Sequence, residues 1–136
     1  MSCDLASPAV SELFGVVPAA TLLPDGVAPL AGHADQEGVR IVATVLERWE
    51  DESERYRGRG EAILAAVVGD EVVSIGALSH CPQVYGALRM RRFYVAPAWR
   101  RHGVAHSLAG ELIATGHGYT DLITCNARIS DCATCD

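Results

Sequence analysis

Apolar residues recur at helical spacing in two parts of the chain. In residues 35–49 they lie three or four positions apart, with charged side chains on the other faces. Residues 104–115 carry two adjoining apolar stripes, and Gly116 follows, where a glycine commonly ends a helix. This period is typical of amphipathic helices. The pattern predicts helices over 35–49 and 104–115, with the apolar positions Val39, Val42, Val45, Leu46 and Trp49 in the first and Val104, Ala105, Leu108, Ala109, Leu112 and Ile113 in the second.

Short runs of valine, alanine and isoleucine predict the strands. Runs over 62–68 and 72–78 flank the turn Gly69-Asp70-Glu71, which indicates an antiparallel hairpin. Another strand is predicted over 88–95, before Pro97, and short ones over 121–125 and near 14–17. The rest of 1–33 is rich in proline, alanine and glycine without a sustained period. Segments 51–60 and 79–86 are interpreted as loops.

The order of these elements is helix, hairpin, strand, helix, strand. The last three form a β-loop-α-β unit, whose strands should be parallel with a right-handed crossover. The fold class is therefore α/β with a mixed sheet (α+β), in one domain over 1–136. We expect 1–15 and 128–136 to be poorly ordered, because such polar or irregular ends bury too little to offset their ordering entropy.

Composition narrows the class of protein. Hydrophobic residues make up 49% of the 136 positions and charged residues 21%, as in globular domains. The longest apolar run, 62–68, is too short to span a bilayer, and the amino terminus lacks the features of a secretory signal. A net charge of −6 disfavours nucleic-acid binding. We expect a soluble, cytoplasmic protein with neither a nucleic acid nor a membrane as partner.

The five cysteines favour reduced thiols, because their number is odd and no signal precedes them. Cys132 and Cys135 have the spacing of a metal-binding pair, and Cys125 and His117 lie upstream. However, no second compact pair completes a four-ligand zinc site. We therefore predict no metal, and leave a metal-fixed carboxyl-terminal tail as the alternative.

The positive charge is concentrated where the strand over 88–95 leads into the helix that begins at Val104. Every basic residue is an arginine, and five arginines lie between positions 89 and 101. The free N–H groups and the dipole of a helix start attract phosphate when the backbone can approach closely. Gly103 permits that approach and Ala105 leaves room. The alternatives are an ordinary turn with surface arginines or a small interaction or nucleic-acid module.

The motif Arg100-x-x-Gly103-x-Ala105 resembles the Q/R-x-x-G-x-G/A signature of the GNAT superfamily of N-acetyltransferases. The preceding Phe93-Tyr94-Val95-x-Pro97 resembles the strand that leads into it. The segments 62–78 and 35–49 look like the family's central hairpin and first helices, and 16–19 looks like its opening strand. The resemblance spans 16–127 and implies a GNAT-like acyl-CoA fold.

What the resemblance implies is transfer of an acetyl group from acetyl-CoA to an amine of a small molecule or a protein. The pyrophosphate would lie on the helix start, with charge from the two arginines, and the pantetheine arm along the strand before it. The implied acetyl-CoA-binding residues are Phe93, Tyr94, Val95, Arg100, Arg101, His102, Gly103, Val104, Ala105, His106 and Asn126. Asn126 is equally well explained as a turn residue after a strand.

Two departures from the family pattern bear on catalysis. Arg89 stands where some members carry a glutamate that acts as general base, so the catalytic residues are unknown. His80, in the loop after the hairpin, is a weak candidate, with a plain surface histidine as the alternative. Nothing in the sequence indicates an activated thiolate at Cys81.

The second departure concerns the carboxyl-terminal part. The chain ends before the family's last helix and strands, as if truncated, which would leave a sheet edge open to a partner such as a second copy. A homodimer is thus one possibility. The alternative function is a catalytically incomplete acyl-CoA-binding protein or GNAT remnant.

Overall fold

The structure is a computed structural model and describes residues 15–18, 23 and 25–125. In this part of the chain five strands and three α-helices follow one another: β1 (Gly15–Pro18), α1 (Ala28–Gln36), α2 (Ile41–Glu50), β2 (Ala62–Val68), β3 (Glu71–His80), β4 (Leu88–Val95), α3 (Val104–Gly116) and β5 (Ile123–Cys125), with a 3-10 turn at Pro97–Trp99. The strands form one sheet in the order β1-β2-β3-β4-β5. The α/β class with a mixed sheet is confirmed.

The hairpin, the opening strand and the β-loop-α-β unit are also confirmed. β1, β2, β3 and β4 pair antiparallel in turn, whereas β4 and β5 are parallel, with α3 between them in the chain. β3 extends two residues further than predicted, because Ser79 and His80 continue the ladder opposite Arg89 and Leu88. The prediction that His80 lies in a loop is therefore wrong.

The helix predicted over 35–49 is two helices. α1 ends where Gly38 takes a left-handed backbone conformation (φ 77°), and the N–H groups of Gly38 and Val39 donate to the carbonyls of Asp35 and Ala34. These two hydrogen bonds close the helix end in the way a Schellman motif does. Most of α1 lies in the segment for which we predicted no sustained structure; Pro29 in its first turn was the available signal, because proline is tolerated there.

The two faces of the sheet are covered by different helices. α1 and α2 pack on one face, where Val27, Leu30 and Val42 join β-strand residues such as Ile75 and Ala77 in one buried cluster. α3 packs on the opposite face, over clusters centred on its own Val104, Ala105, Leu108 and Leu112. Because helices cover both faces of the sheet, the ends of the strands and the connecting loops are the places where a ligand can bind.

α3 ends at Gly116, where the sequence predicted its end. Gly116 is the last helical residue rather than the residue after the helix, and it is buried. A Cβ at this position would approach side-chain atoms of Ile123, Leu78 and Leu88 to between 2.9 and 3.2 Å, so a glycine lets the helix lie close to the sheet. None of the helices in the described ranges is long and apolar enough to cross a membrane. The predictions for Asn126, for the tail cysteines and for the order of both chain ends lie outside the described residues, apart from Gly15 in β1.

Candidate functional site

The turn into α3 has the backbone geometry of an anion site. Arg101 and Gly103 both take left-handed conformations, with φ of 67° and 81°. Gly103 is the residue before the helix, and no side chain caps the first turn. The N–H groups at the start of α3 therefore lack an intrahelical acceptor and carry the positive end of the helix dipole. A backbone that alternates in this way turns its N–H groups towards one concave surface.

β4 is distorted just before this turn. Arg92 and Phe93 stand together opposite Gly76, and Arg92 takes a left-handed conformation (φ 62°). The ladder between β4 and β5 pairs only three residues of each strand, up to Met90 and Cys125. A bulge bends and twists its strand. From the bulge onward, no strand in the described part of the chain pairs with the outer edge of β4.

Hydrogen-bonding groups of β4 face this open edge. The Ala96 N–H donates to the Val73 carbonyl of β3 at 2.8 Å. Successive N–H groups of a strand alternate between its two edges, so the Val95 N–H points to the side away from β3. The Val95 carbonyl lies on the same side and accepts a hydrogen bond from Arg100 Nε at 3.0 Å. The open edge thus offers a donor beside the turn into α3.

Arg100 is held by protein groups. Its guanidinium donates two hydrogen bonds to the carboxylate of Glu37, at 3.0 and 2.7 Å, and lies 5.5 Å from the centre of the Tyr94 ring. The Tyr94 hydroxyl donates to the same carboxylate at 2.5 Å. The Arg100 and Glu37 side chains are 32% and 29% exposed, so solvent screens only part of their attraction. The guanidinium that the sequence predicts to neutralise phosphate thus also ties the turn to the end of α1.

This ion pair predicts a pH dependence of stability. The Arg100 guanidinium, followed by the Tyr94 hydroxyl, holds the pKa of Glu37 below its ordinary value of 4.5. Burial and the bond to Glu37 raise the pKa of Tyr94 to about 12. Because the folded-state carboxyl has the lower pKa, its contribution to stability is complete above the unfolded value and is lost as the pH falls through the folded one. We expect the free energy of unfolding to fall below pH 4.5, and to fall less in Glu37→Gln. Urea titrations at several pH values measure this; equal slopes in both proteins would contradict it.

The remaining predicted acetyl-CoA residues differ in how far their side chains are exposed. Arg101 and His106 are exposed on the turn and on the first turn of α3. Val104 and Ala105 are buried against the sheet, so only their backbone N–H groups can serve a ligand. The His102 ring lies 5.6 Å from the Trp99 ring, and its Nδ1 is 3.0 Å from the Arg100 carbonyl oxygen. The structure therefore places Arg101 as the arginine of the pair whose charge is available at the turn.

A cavity of 530 Å³ lies beside the other end of β4. The core residue Ala77 faces α1 and α2, and side chains alternate along a strand, so Ser79 on β3 and its partner Arg89 on β4 face the same side. Residues 52–57 of the loop after α2 line the cavity as well. Its lining residues are Glu52, Ser53, Glu54, Arg55, Tyr56, Arg57, Glu61, Ser79, His80, Pro82, Arg89 and Arg91.

Glu54 anchors this loop to β4. Its carboxylate accepts hydrogen bonds from Arg48 at 3.0 Å, from Arg92 at 3.1 Å and from the Tyr56 hydroxyl at 3.0 Å, and Arg91 lies 3.7 Å away. The bulge allows two consecutive arginines to reach one carboxylate. Burial raises the pKa of Glu54, but the bonds from Arg92 and Tyr56 outweigh it and hold the pKa below its usual range. Such a saturated carboxylate is a poor proton acceptor, and we assign it a structural role.

His80 lies at the rim of the cavity. Its ring makes an edge contact with the Tyr119 ring at 5.4 Å and is otherwise exposed. Its backbone N–H donates to Glu61 at 3.0 Å, and the other oxygen of Glu61 accepts from the Gly58 N–H at 3.0 Å. Glu61 therefore pins the loop to the end of β3. The imidazole packs on the side of Tyr119, at the end of β3 that borders the cavity.

Cys81 follows His80 at the start of the loop after β3. Hydrogen bonding from the Gln83 backbone, followed by smaller contributions that include the charge of Arg89, lowers the pKa of its thiol. Cys81 and Cys125 are free thiols. Among the described residues, no three histidine, cysteine, aspartate or glutamate side chains cluster closely enough to hold a metal ion.

Sequence reasoning missed the roles of Glu54, Ser79 and Glu61. The two glutamates lie in or next to the charged segment 51–60, where nothing distinguishes a bound carboxylate from a solvated one. Ser79 was placed in a loop. An available signal was the alternation of β3 and β4, because a longer ladder would have put Ser79 opposite Arg89 on one face.

Known protein families provide an independent comparison. The model of the family described as "Acetyltransferase (GNAT) family" matches residues 33–130, which is most of the chain. Among curated protein sequences none matches significantly. The matched segment contains α2, the hairpin, β4, the turn and α3.

Solved structures share this architecture. A candidate acetyltransferase from an Exiguobacterium species has a TM-score of 0.77 at 21% identity, over 88% of this chain and 80% of its own. An acetyltransferase of the GNAT family from Staphylococcus aureus has a TM-score of 0.57 at 13% identity, over 77% and 67%. Glucosamine-6-phosphate N-acetyltransferase from Arabidopsis thaliana has a TM-score of 0.56 at 10% identity, over 87% and 84%. At these identities the likeness establishes the fold.

Proposed function

Because the chain belongs to the GNAT family of acetyltransferases, we propose that it transfers the acetyl group of acetyl-CoA to an amine of a small molecule or a protein. Family and fold support acetyl transfer in general. The observation that carries the acetyl-CoA part is the turn into α3, where two left-handed residues precede an uncapped helix start. Such a helix start binds phosphate groups, and acetyl-CoA presents a pyrophosphate.

The acetyl-CoA site follows from this geometry. The pyrophosphate accepts hydrogen bonds from backbone N–H groups of residues 101–106, and Arg101 adds charge. The pantetheine arm lies against the open edge of β4 and bonds to backbone groups of Phe93–Val95, as an added strand would. Asn126 remains a proposed contact of the same arm.

The chemistry requires one bond to form and one to break. The amine lone pair attacks the thioester carbonyl carbon, a C–N bond forms, and the C–S bond breaks with departure of the thiolate. The attacking nitrogen loses a proton, and the thiolate takes one up. We propose that the imidazole of His80, at the rim of the cavity, receives the amine proton.

The two arginines of the turn should behave differently when each is replaced by alanine. Arg101→Ala is expected to weaken acetyl-CoA binding roughly tenfold and to reduce its salt dependence, with little change in melting temperature, because its side chain is exposed. Arg100→Ala is expected to lower stability by about 1–2 kcal/mol through loss of the Glu37 bonds. Calorimetric titration and thermal melts measure both effects. If the two substitutions changed acetyl-CoA affinity and melting temperature equally, these separate roles of Arg101 and Arg100 would be contradicted.

The proton-transfer role of His80 predicts a loss of turnover. In His80→Gln, kcat at neutral pH is expected to fall on the order of 10²-fold, because no imidazole receives the amine proton. Acetyl-CoA affinity should be unchanged. A His80→Gln enzyme that keeps the kcat of the unsubstituted protein would exclude His80 as proton acceptor.

A second candidate function rests on Arg89. An arginine at the position of the family's glutamate base favours a protein that binds acyl-CoA without transferring the acyl group. Acetyl-CoA affinity without release of free thiol, across a broad set of amines, would select this alternative. We also propose that the protein is cytoplasmic, needs no metal and can associate as a homodimer.

A further inference from the structure

Three buried side-chain atoms have no hydrogen-bond partner among the described residues, and two of them belong to residues that line the cavity, whereas the third, Arg92 Nε, does not. The two are Ser79 Oγ and Arg89 Nε, both shielded from solvent, and the Ser79 side chain belongs to a residue only 9% exposed. The two residues stand directly opposite in the β3–β4 ladder, so their Cβ atoms lie about 5 Å apart. Leaving such groups unpaired is costly. Two adjacent donors of this kind indicate a place built for an acceptor group of a ligand.

The surrounding charges leave Arg89 uncompensated. Three arginines already share the one carboxylate of Glu54. Both oxygens of Glu61 accept backbone N–H groups, and Arg55 donates to the Trp49 carbonyl. In the described part of the chain Arg89 itself makes no ion pair. Arg55 and Arg57 also line the cavity without an ion pair in the described part of the chain, but only Arg89 among the lining arginines has a shielded, unpartnered Nε, and it lies opposite the unpartnered hydroxyl of Ser79.

A carboxylate satisfies both groups. It accepts the Nε–H of Arg89 and the O–H of Ser79 and neutralises the guanidinium, whereas a neutral carbonyl would leave the charge unpaired. Three carboxylates, those of Glu52, Glu54 and Glu61, line the same cavity. Glu54 is compensated by arginines and both oxygens of Glu61 accept backbone N–H groups, so the Glu52 carboxylate is the one best placed to favour a cationic amine on the same ligand.

We propose that the acetyl acceptor is a small amine that also carries a carboxylate, and that Arg89 and Ser79 bind this carboxylate. The inference rests on the proposed acetyl transfer and names its substrate class. A cavity of 530 Å³ matches a small molecule. The arginine that replaces the family's glutamate then selects the acceptor.

The test compares amino acids with their decarboxylated amines, which differ only in the carboxylate: tyrosine with tyramine, histidine with histamine, lysine with cadaverine. Thiol release gives kcat/KM for each, and peptides with blocked carboxyl groups complete the panel. For the accepted pair we expect the amino acid to be preferred about 10- to 100-fold, as for loss of hydrogen bonds to a charged group.

Three variants locate the preference. Arg89→Gln should remove the preference for the amino acid, and Ser79→Ala should reduce it, mainly through KM. Arg40→Gln removes an exposed arginine just before α2, at the other end of that helix from the loop, and should preserve the preference. Arg89→Gln should also raise the melting temperature without ligand, because it removes an unpaired, partly buried cation. A purely structural Arg89 would give the opposite shift.

The outcomes separate this inference from the function on which it depends. Turnover of decarboxylated amines or blocked peptides as fast as amino acids overturns the carboxylate inference and leaves acetyl transfer standing. A preference that survives Arg89→Gln, with a lowered melting temperature, also overturns it. Absence of turnover for every amine overturns both.

Discussion

Replacing Gly103 with glutamate is expected to abolish acetyl-CoA binding, with an affinity loss of at least about 100-fold, on the order of 3 kcal/mol. Gly103 has φ 81° and no atom within 4 Å of a Cβ built on it, so the space in front of the turn is open. A glutamate there fills that space and places a carboxylate where the pyrophosphate must approach the helix start. Calorimetric titration with acetyl-CoA measures the loss.

A matched control separates this effect from backbone strain. Gly86 also has a left-handed conformation (φ 82°) and no atom within 4 Å of its Cβ position, but it lies in the loop between β3 and β4, at the opposite end of the sheet. Gly86→Glu adds the same side chain and similar strain, roughly 1 kcal/mol. It should leave acetyl-CoA affinity within about twofold. Similar losses in the two variants, or unchanged affinity in Gly103→Glu, would refute the helix-start site.

Replacing Glu54 with alanine is expected to lower the free energy of unfolding by about 2–4 kcal/mol. The substitution leaves Arg92 and Arg91, whose side chains are 16% and 27% exposed, without the carboxylate that compensates them. Removing one partner of a buried ion pair costs more than the pair itself contributes. The loop that covers the cavity would lose its anchor to β4 as well. Urea unfolding at neutral pH provides the measurement.

Glu47→Ala is the appropriate comparison. Glu47 pairs with Arg40 at 2.6 Å, yet both side chains are more than 60% exposed. Exposed pairs contribute little, so this variant should change stability by less than about 0.5 kcal/mol. A loss in Glu54→Ala as small as that in Glu47→Ala would show that the cluster around Glu54 does not hold the loop.

The fold was largely accessible from the sequence, because periodicity and turn residues act locally. The strand Leu88–Val95 and the start of the helix Val104–Gly116 were predicted at their observed residues. The break after α1 was not predicted, because Val39 continues the apolar period, although the helix ends beside the left-handed Gly38. The packing role of Gly116 was not predicted either, because it depends on three side chains from β3, β4 and β5, which no local pattern specifies.

The candidate site was accessible only in part. The turn around Gly103 is contiguous in sequence, so its motif and its chemistry could be read together. The Arg100–Glu37 pair joins residues 63 positions apart, and nothing local indicates that this guanidinium is already occupied. The pairing of Ser79 with Arg89 depends on strand register, which the predicted loop at 79–86 concealed. Long-range ion pairs and ladder partners are therefore the part that required the structure.

The most direct test of acetyl transfer is mass spectrometry after incubation of the protein with isotope-labelled acetyl-CoA and a mixture of amines. We predict a labelled N-acetyl product with the unsubstituted protein and none with Gly103→Glu, which we expect to fold. Binding of acetyl-CoA without any labelled product from the mixture would contradict the transferase function and favour a binding protein. If acetyl-CoA does not bind and no labelled product forms, the account of the site as a whole is contradicted.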